Sequence, residues 1–241
     1  MKPFSLAWFA SLVVAALLGA GAFALLQPLV VPSAAPGSAS VREAILADPA
    51  IIPDAMEALR SRETGKVIAA NRSAIVDPFG NAWKGDPAGD VTVVAYMDYA
   101  CGYCRASLPI LDQLVAADAD VKIVFRELPI LSEASRRAAQ WSLAAAEQGK
   151  FRQYHDILFT AGQLSDATID AAIARAGLDR VRGERVVRSE AVQAEIQRNL
   201  ALAGQLGMTG TPAWVVGDRV LSGALPLQAM QSAVASARSA G

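Results

Sequence analysis

Three hydrophobic patterns follow one another along this chain. The first is an almost unbroken apolar run over residues 4–31, in which Ser5, Ser11 and Gln27 are the only polar side chains. A helix needs about 20 apolar residues to cross a ~30 Å hydrocarbon layer, and residues 6–26 suffice. The run reads as a retained membrane anchor or as a signal peptide cleaved after Ala22-Phe23-Ala24. Both readings carry the rest of the chain across a membrane, and Lys2 ahead of the run favours an N-terminus inside. Residues 32–40 contain only Pro, Ser, Ala and Gly and predict a flexible tether. Residues 41–71 then predict helix, with Asp48-Pro49 and Pro53 as start signals. Ile52, Met56 and Leu59 recur there at helical spacing, which fits an arm packed on its own domain or an oligomerisation segment.

The second pattern is strand-like. Apolar, β-branched runs at residues 91–97 and 121–125 flank a stretch, 104–117, with helical periodicity. That order predicts strand, helix, strand with a right-handed parallel crossover. Gly85, Pro87 and Gly89 mark the turn before it. The third pattern, over residues 132–206, is helical throughout. Ser132 predicts an N-cap, Ala134, Ala138, Trp141 and Ala145 share a face, and Gly149 stops the helix. Phe151, Tyr154 and Leu158 mark a second helix. Ser165 opens a third, with Ile169, Ala172 and Ile173 inward and Gly177 at its end. A last one runs through Val192, Ile196, Leu200 and Ala203 to Leu206. Strand character returns at residues 213–216 and 219–221 around a Gly217-Asp218 hairpin turn, and residues 227–237 predict a terminal helix.

The 241 residues suit one large domain or two small ones. With 22 basic against 23 acidic side chains and no basic run, nothing points to nucleic acid. Trp141 and Trp214 are predicted core residues. His155, the single histidine, lies four residues from Phe151 on an apolar face and predicts a packed structural role rather than a metal ligand.

The chemistry is concentrated in Cys101-Gly102-Tyr103-Cys104, which holds both cysteines of the chain. A ring this short restricts the unfolded chain by only about 2 kcal/mol, so the pair reads as a redox switch rather than a staple or a metal clip. Its place between a strand and a helix matters. The first N–H groups of a helix have no intrahelical partner and point at what precedes them. A thiolate at Cys101 gains those donors and the positive end of the helix dipole, the latter worth about 0.3–1 kcal/mol. Cys104, one turn into the helix, is expected to be the sheltered resolving thiol and Cys101 the exposed nucleophile. Asp98 tunes this site or caps its turn.

The stretch Asp98-Tyr99-Ala100-Cys101-Gly102-Tyr103-Cys104-Arg105 after a strand resembles a thioredoxin-fold oxidoreductase. Gly207-Met208-Thr209-Gly210-Thr211-Pro212-Ala213-Trp214 is similar to that family's cis-proline loop. With helices inserted between the halves, the chain resembles DsbA-like thiol–disulfide oxidoreductases of the thioredoxin superfamily, and its helical N-terminal arm is similar to their ScsC-like and Com1-like branches. The resemblance covers roughly residues 73–241. It implies an α/β, thioredoxin-like fold with an inserted all-helical domain, preceded by an N-terminal membrane-targeting helix. The expected parts are residues 1–31 as anchor or signal peptide, 32–72 as linker and helical arm, 73–131 and 207–241 as the two parts of the thioredoxin-like domain, and 132–206 as the insertion.

The resemblance further implies catalytic Cys101 and Cys104, a cis bond at Pro212, and a substrate strand bound by Thr211 and Pro212. Gly102, Tyr103 and Asp98 would tune the site. Two departures suggest a less strongly oxidising pair than in DsbA itself. Gly102-Tyr103 replaces a histidine-containing dipeptide and resembles the loop of the isomerase DsbC, and Ala95 takes the place of a buried glutamate. No cofactor or metal is implied. The expected partners are proteins with thiols or disulfides, a membrane redox partner, and further copies of the chain through residues 41–71. The expected location is the periplasm, tethered to the inner membrane, or soluble there after cleavage. The rival reading is a soft-metal module holding copper between the two thiols, and a second is a tethered adaptor with a vestigial site.

Overall fold

The computed structural model describes residues 38–240, so the apolar run at residues 4–31 lies outside the described residues. Among the described residues no helix is long and apolar enough to cross a membrane. The chain divides into two compact units, one ending at Glu57 and the other starting at Ala58.

The first unit contains helix α1 (Ser38–Ala47) and the opening of helix α2 (Ile51–Ala70). Helix already begins at Ser38, so the end of the expected tether is helical, because alanine and serine there run straight into a good helix-forming sequence. Between the helices, Asp48 Oδ1 accepts from the Ala50 N–H at 3.2 Å. Val41, Leu46, Ile51, Ile52 and Met56 are exposed.

The second unit is built on a five-stranded mixed sheet, ordered β1-β3-β2-β4-β5. It comprises β1 (Trp83–Gly85), β2 (Val91–Met97), β3 (Val121–Glu127), β4 (Ala213–Val216) and β5 (Arg219–Ser222). Strands β2 and β3 run parallel with Val91 opposite Val121 and Met97 opposite Glu127. Helix α4 (Gly102–Ala117) makes the crossover between them, as the spacing predicted. Both strands are buried on both faces over most of their length, which is why their apolar residues do not simply alternate with polar ones. The edge strand β1 pairs antiparallel with β3 and was not predicted from sequence.

Alternation along the strands sorts the core into two layers. One face carries Val93, Ala95, Met97, Ile123, Phe125, Trp214 and Val216. The other carries Val94, Tyr96, Val124, Ala213 and Val215, against Ile68 of α2 and Ile75 of the short helix α3 (Arg72–Val76). Five helices separate β3 from β4: α5 (Glu133–Glu147), α6 (Phe151–Thr160), α7 (Asp166–Arg175), α8 (Arg180–Val187) and α9 (Glu190–Gln205). Ser132 and Ser165 cap α5 and α7 through their hydroxyls, and Gly149 (φ +70°) and Gly177 (φ +66°) end the helices before them in the left-handed region.

Helix α8 escaped the sequence pattern, being charged and burying only Gly183. A Cβ at Gly183 would lie 2.3 Å from the Trp141 ring, so α8 approaches α5 as closely as glycine permits. The terminal helix α10 (Leu227–Ala240) is fixed by Arg238, whose guanidinium donates to Asp90 and Asp118. Those hydrogen bonds hold both carboxyls below the usual carboxylate range.

Candidate active site

Strand β2 ends at Met97, and the four residues before α4 form a turn held by one buried side chain. Asp98 accepts from the Ala100 N–H at 2.8 Å through Oδ1, and from the Ile130 and Leu131 N–H groups at 2.9 and 3.0 Å through Oδ2. Its own carbonyl accepts from the Cys101 N–H at 3.0 Å, while Leu128 N–H donates to Met97 O at 2.8 Å. Asp98 therefore caps the turn and also clamps the loop after β3 onto it. A carboxylate satisfied by backbone donors can be buried without a cation.

Cys101 is the N-cap of α4, with extended backbone, and its Sγ accepts from the Cys104 N–H at 3.4 Å. The first turn of α4 carries no acidic side chain, so the dipole and the free N–H groups meet no competing anion. The thiol of Cys101 also donates to Thr211 O at 3.2 Å, a contact spanning 110 positions of sequence. The Thr211–Pro212 bond is cis. This loop covers Cys101, which is only 7% exposed rather than the open nucleophile expected, and Cys104 beneath it is 0% exposed. Burial pushes the Cys104 thiol up, against a downward pull from the Asp98 backbone and the Thr211 hydroxyl. Both cysteines are free thiols. Tyr103 stands out at 71% exposure, and Ile130 and Leu131 on the clamped loop are exposed as well. Arg105, one residue beyond the motif, donates to Phe159 O and Gly162 O and locks α4 to the end of α6.

The structure thus brings Cys101, Cys104, Asp98 and Thr211–Pro212 together. His155 is buried and packs against Phe125, Phe151 and Phe159, and Trp141 and Trp214 lie in the core, as read from the sequence. Among the described residues no group of three or more His, Cys, Asp or Glu could hold a metal ion, and nothing in the site supports the copper reading beyond the two thiols themselves.

Sequence reasoning missed Glu127. It closes β3 opposite Met97, is buried, and accepts from Ser142 Oγ at 2.6 Å. Tyr99 OH lies 3.5 Å from the same carboxylate oxygen, 2.8 Å from Ser142 Oγ and 3.0 Å from His155 Nδ1. Burial raises Glu127 to about 8, with Asp98 and Glu195 adding to the rise and Ser142 and Tyr99 opposing it. Burial, helped by Arg152 and Lys84, lowers His155 to about 3. Ala95 does stand buried in β2, yet the site has a buried carboxyl on the neighbouring strand. The one available signal was an acidic residue closing a mostly β-branched and aromatic strand that also carries Lys122 and Arg126.

Known proteins resemble this chain in sequence and in fold. A sodium/proton antiporter NhaA 3 from Salinispora tropica is 31% identical over 67% of this chain, which spans only 25% of the antiporter's length. A thiol:disulfide interchange protein DsbA from Bordetella parapertussis is 30% identical, over 57% of this chain and 68% of that one. The crystal structure of a thioredoxin-like oxidoreductase from Silicibacter pomeroyi superimposes with a TM-score of 0.67 at 39% identity, covering 71% of this chain and 99% of that one. ScsC from Proteus mirabilis, in a linker-deleted mutant, shares the fold at 24% identity and a TM-score of 0.70, covering 87% and 100%. The profile of the DSBA-like thioredoxin domain matches residues 92–235, more than half of the chain. The chain therefore belongs to the DSBA-like thioredoxin domain family.

Proposed function

We propose that this protein is an exported thiol–disulfide oxidoreductase that acts on protein disulfides through Cys101 and Cys104. The observation that carries the reading is the placement of Cys101 Sγ between the Cys104 N–H and Thr211 O. In reduction of a client, the Cys101 thiolate attacks one sulfur of the client disulfide and expels the other as a thiolate, giving a mixed disulfide. Cys104 then loses its proton and attacks Cys101 Sγ. The second client thiol leaves, two electrons have passed to the client, and the enzyme holds the disulfide. Oxidation of a client runs the same steps backward, and isomerisation replaces Cys104 by a client thiol.

Burial of Cys104 supports this division of labour, because a thiol whose ionisation is opposed waits until a mixed disulfide presents it with a target. Thr211 would offer its backbone to an extended client strand beside the reacting sulfur. Tyr103, Ile130 and Leu131 give that client an apolar shelf, which suits unfolded protein better than a small thiol. Export to the periplasm rests on the apolar run at residues 4–31, and a membrane redox partner would return the pair to its working state. The exposed apolar positions Val41, Ile52 and Met56 support association of copies through residues 41–71, which would favour isomerase action by enclosing a client.

Changing Cys104 to Ser leaves the attacking thiol and removes the resolving one. Mixed disulfides between the Cys104→Ser chain and client proteins should accumulate on non-reducing gels and vanish with dithiothreitol. Absence of adducts from a folded variant with free Cys101 would favour an adaptor with a vestigial site.

A further inference from the structure

Two side chains flank the dithiol, Tyr99 before it and Arg105 after it, and both rest on Phe159 of α6. The Tyr99 ring lies 4.6 Å from the Phe159 ring, centroid to centroid. Arg105 Nε donates to the Phe159 carbonyl at 2.6 Å, and its Nη2 donates to Gly162 O at 2.5 Å. The backbone N–H of Arg105 donates to Cys101 O at 3.2 Å, closing the first turn of α4. The last turn of α6 therefore lies against the segment that carries Cys101 and Cys104.

That end of α6 is electrically uncovered by its own sequence. A helix C-terminus carries about half a negative charge on carbonyls without intrahelical donors, and a basic side chain in the last turn commonly offsets it. Helix α6 has no basic side chain there. The Thr160 hydroxyl donates to the Asp156 and Ile157 carbonyls, and the Ala161 N–H donates to Leu158 O. Phe159 O is next in line, and its donor comes from another helix. Arg105 is the cation that α6 lacks, supplied by α4. Its guanidinium is half-buried, and a planar fork can hold both carbonyls at once.

We propose that Arg105 is a positioning residue for the dithiol, screening Cys101 from the negative end of α6 and leaving net positive charge beside the first turn of α4. Once ionised, the reduced pair carries a thiolate, whereas the disulfide is uncharged. A cation nearby favours the reduced form, and an uncovered helix C-terminus disfavours it. No acidic side chain in the first turn of α4 cancels that cation. Loss of Arg105 should therefore make the couple less oxidising. The use of this device in catalysis rests on the exchange reaction proposed above.

Arg105→Met keeps an unbranched apolar stem and loses the charge, while Arg105→Lys keeps the charge and loses the fork. The full-length proteins are equilibrated with glutathione at about pH 9, where ordinary thiols ionise. There the dithiol passes two electrons to oxidised glutathione, giving the internal disulfide and two glutathione thiols. The equilibrium constant for that oxidation should be roughly fourfold higher in Arg105→Met than in the wild type (~18 mV). Arg105→Lys should stay within about twofold of the wild type (~9 mV). A Met variant that coincides with the wild type would overturn the proposal. So would a Lys variant displaced as far as the Met variant, because geometry and not charge would then be responsible. Thr160→Lys places a cation at an exposed position in the last turn of α6 and leaves Arg105 untouched. It should move the couple the opposite way by roughly twofold (~9 mV), and no movement would overturn the proposal even if Arg105→Met fails to fold.

A rate separates this inference from the oxidoreductase reading. In the Cys104→Ser background, the Cys101 thiolate attacks the neutral disulfide dithiodipyridine, forming a mixed disulfide and releasing one pyridinethiolate. Adding Arg105→Met should slow that release roughly twofold at about pH 7, since fewer thiolates form but each is more nucleophilic. If the wild-type pair never closes in glutathione, the oxidoreductase reading fails and this rate decides alone. An unchanged rate would then overturn the role of Arg105.

Discussion

The two faces of the sheet each bury a carboxylate, and they solve the problem in opposite ways. On the face toward α3 and α9, Glu195 meets the guanidinium of Arg126, which also donates to the carbonyls of Ile75 and Asp77. Arg198 adds a second cation at 3.0 Å. On the face toward α5 and α6, the carboxyl of Glu127, next to Arg126 in sequence, meets among the described residues only the hydroxyls of Ser142 and Tyr99. Alternation along β3 sends the neighbours Arg126 and Glu127 to opposite sides. One face is thereby fixed by charge pairing and the other is left responsive to protons. The responsive face is the one that holds Cys101 and Cys104.

The comparison breaks most visibly on the paired face. Replacing Arg126 by Met leaves Glu195 with only the half-exposed Arg198 and frees the carbonyls of Ile75 and Asp77, and should cost about 3–5 kcal/mol in urea unfolding. The double variant Arg126→Met/Glu195→Met should recover most of that loss, since a well-packed apolar pair can match a buried ion pair. A double variant as unstable as the single one would show that Arg126 acts mainly through the Ile75 and Asp77 carbonyls.

The responsive face should show itself in the pH dependence of stability. An unfolded Glu releases its proton near its ordinary 4.5, but folded Glu127 keeps it until about 8. Between those values the unfolded chain binds fewer protons, so stability should fall as pH rises through the window and level off above about 8. Glu127→Gln should lose this component and gain about 1–3 kcal/mol relative to wild type at pH 9, the cost of a buried carboxylate that hydroxyls only partly satisfy. Thermal melts of the two proteins at pH 5, 7 and 9 check it. Parallel curves would mean that Glu127 carries no proton the unfolded chain lacks.

How far the sequence alone reaches depends on whether a feature is local. Strands β2 and β3, the α4 crossover, the capping serines and the Gly217-Asp218 hairpin are written in contiguous residues, and all are present. The redox motif was legible because both thiols and the helix start lie within four positions. Strand β1 was not, since three half-buried residues show no alternation. Nor was α8, whose contact with α5 rests on a missing side chain at Gly183 under the Trp141 ring. The Glu127 chain draws on positions 99, 127, 142 and 155, which no spacing rule connects, and it exists only because the parallel crossover brings the ends of β2 and β3 side by side beneath α5 and α6. Asp98 lay between, visible as a turn residue but not as a clamp on Ile130 and Leu131.

The central claim is that Cys101 and Cys104 form one two-electron couple. Equilibrating the full chain in glutathione buffers of graded potential, then alkylating free thiols and weighing the products, tests it most directly. The account predicts a single transition in which both cysteines pass together between two alkylated thiols and one internal disulfide, with Cys101→Ser abolishing it. Two cysteines that stay free across the series, or that take up glutathione independently without closing on each other, would contradict it.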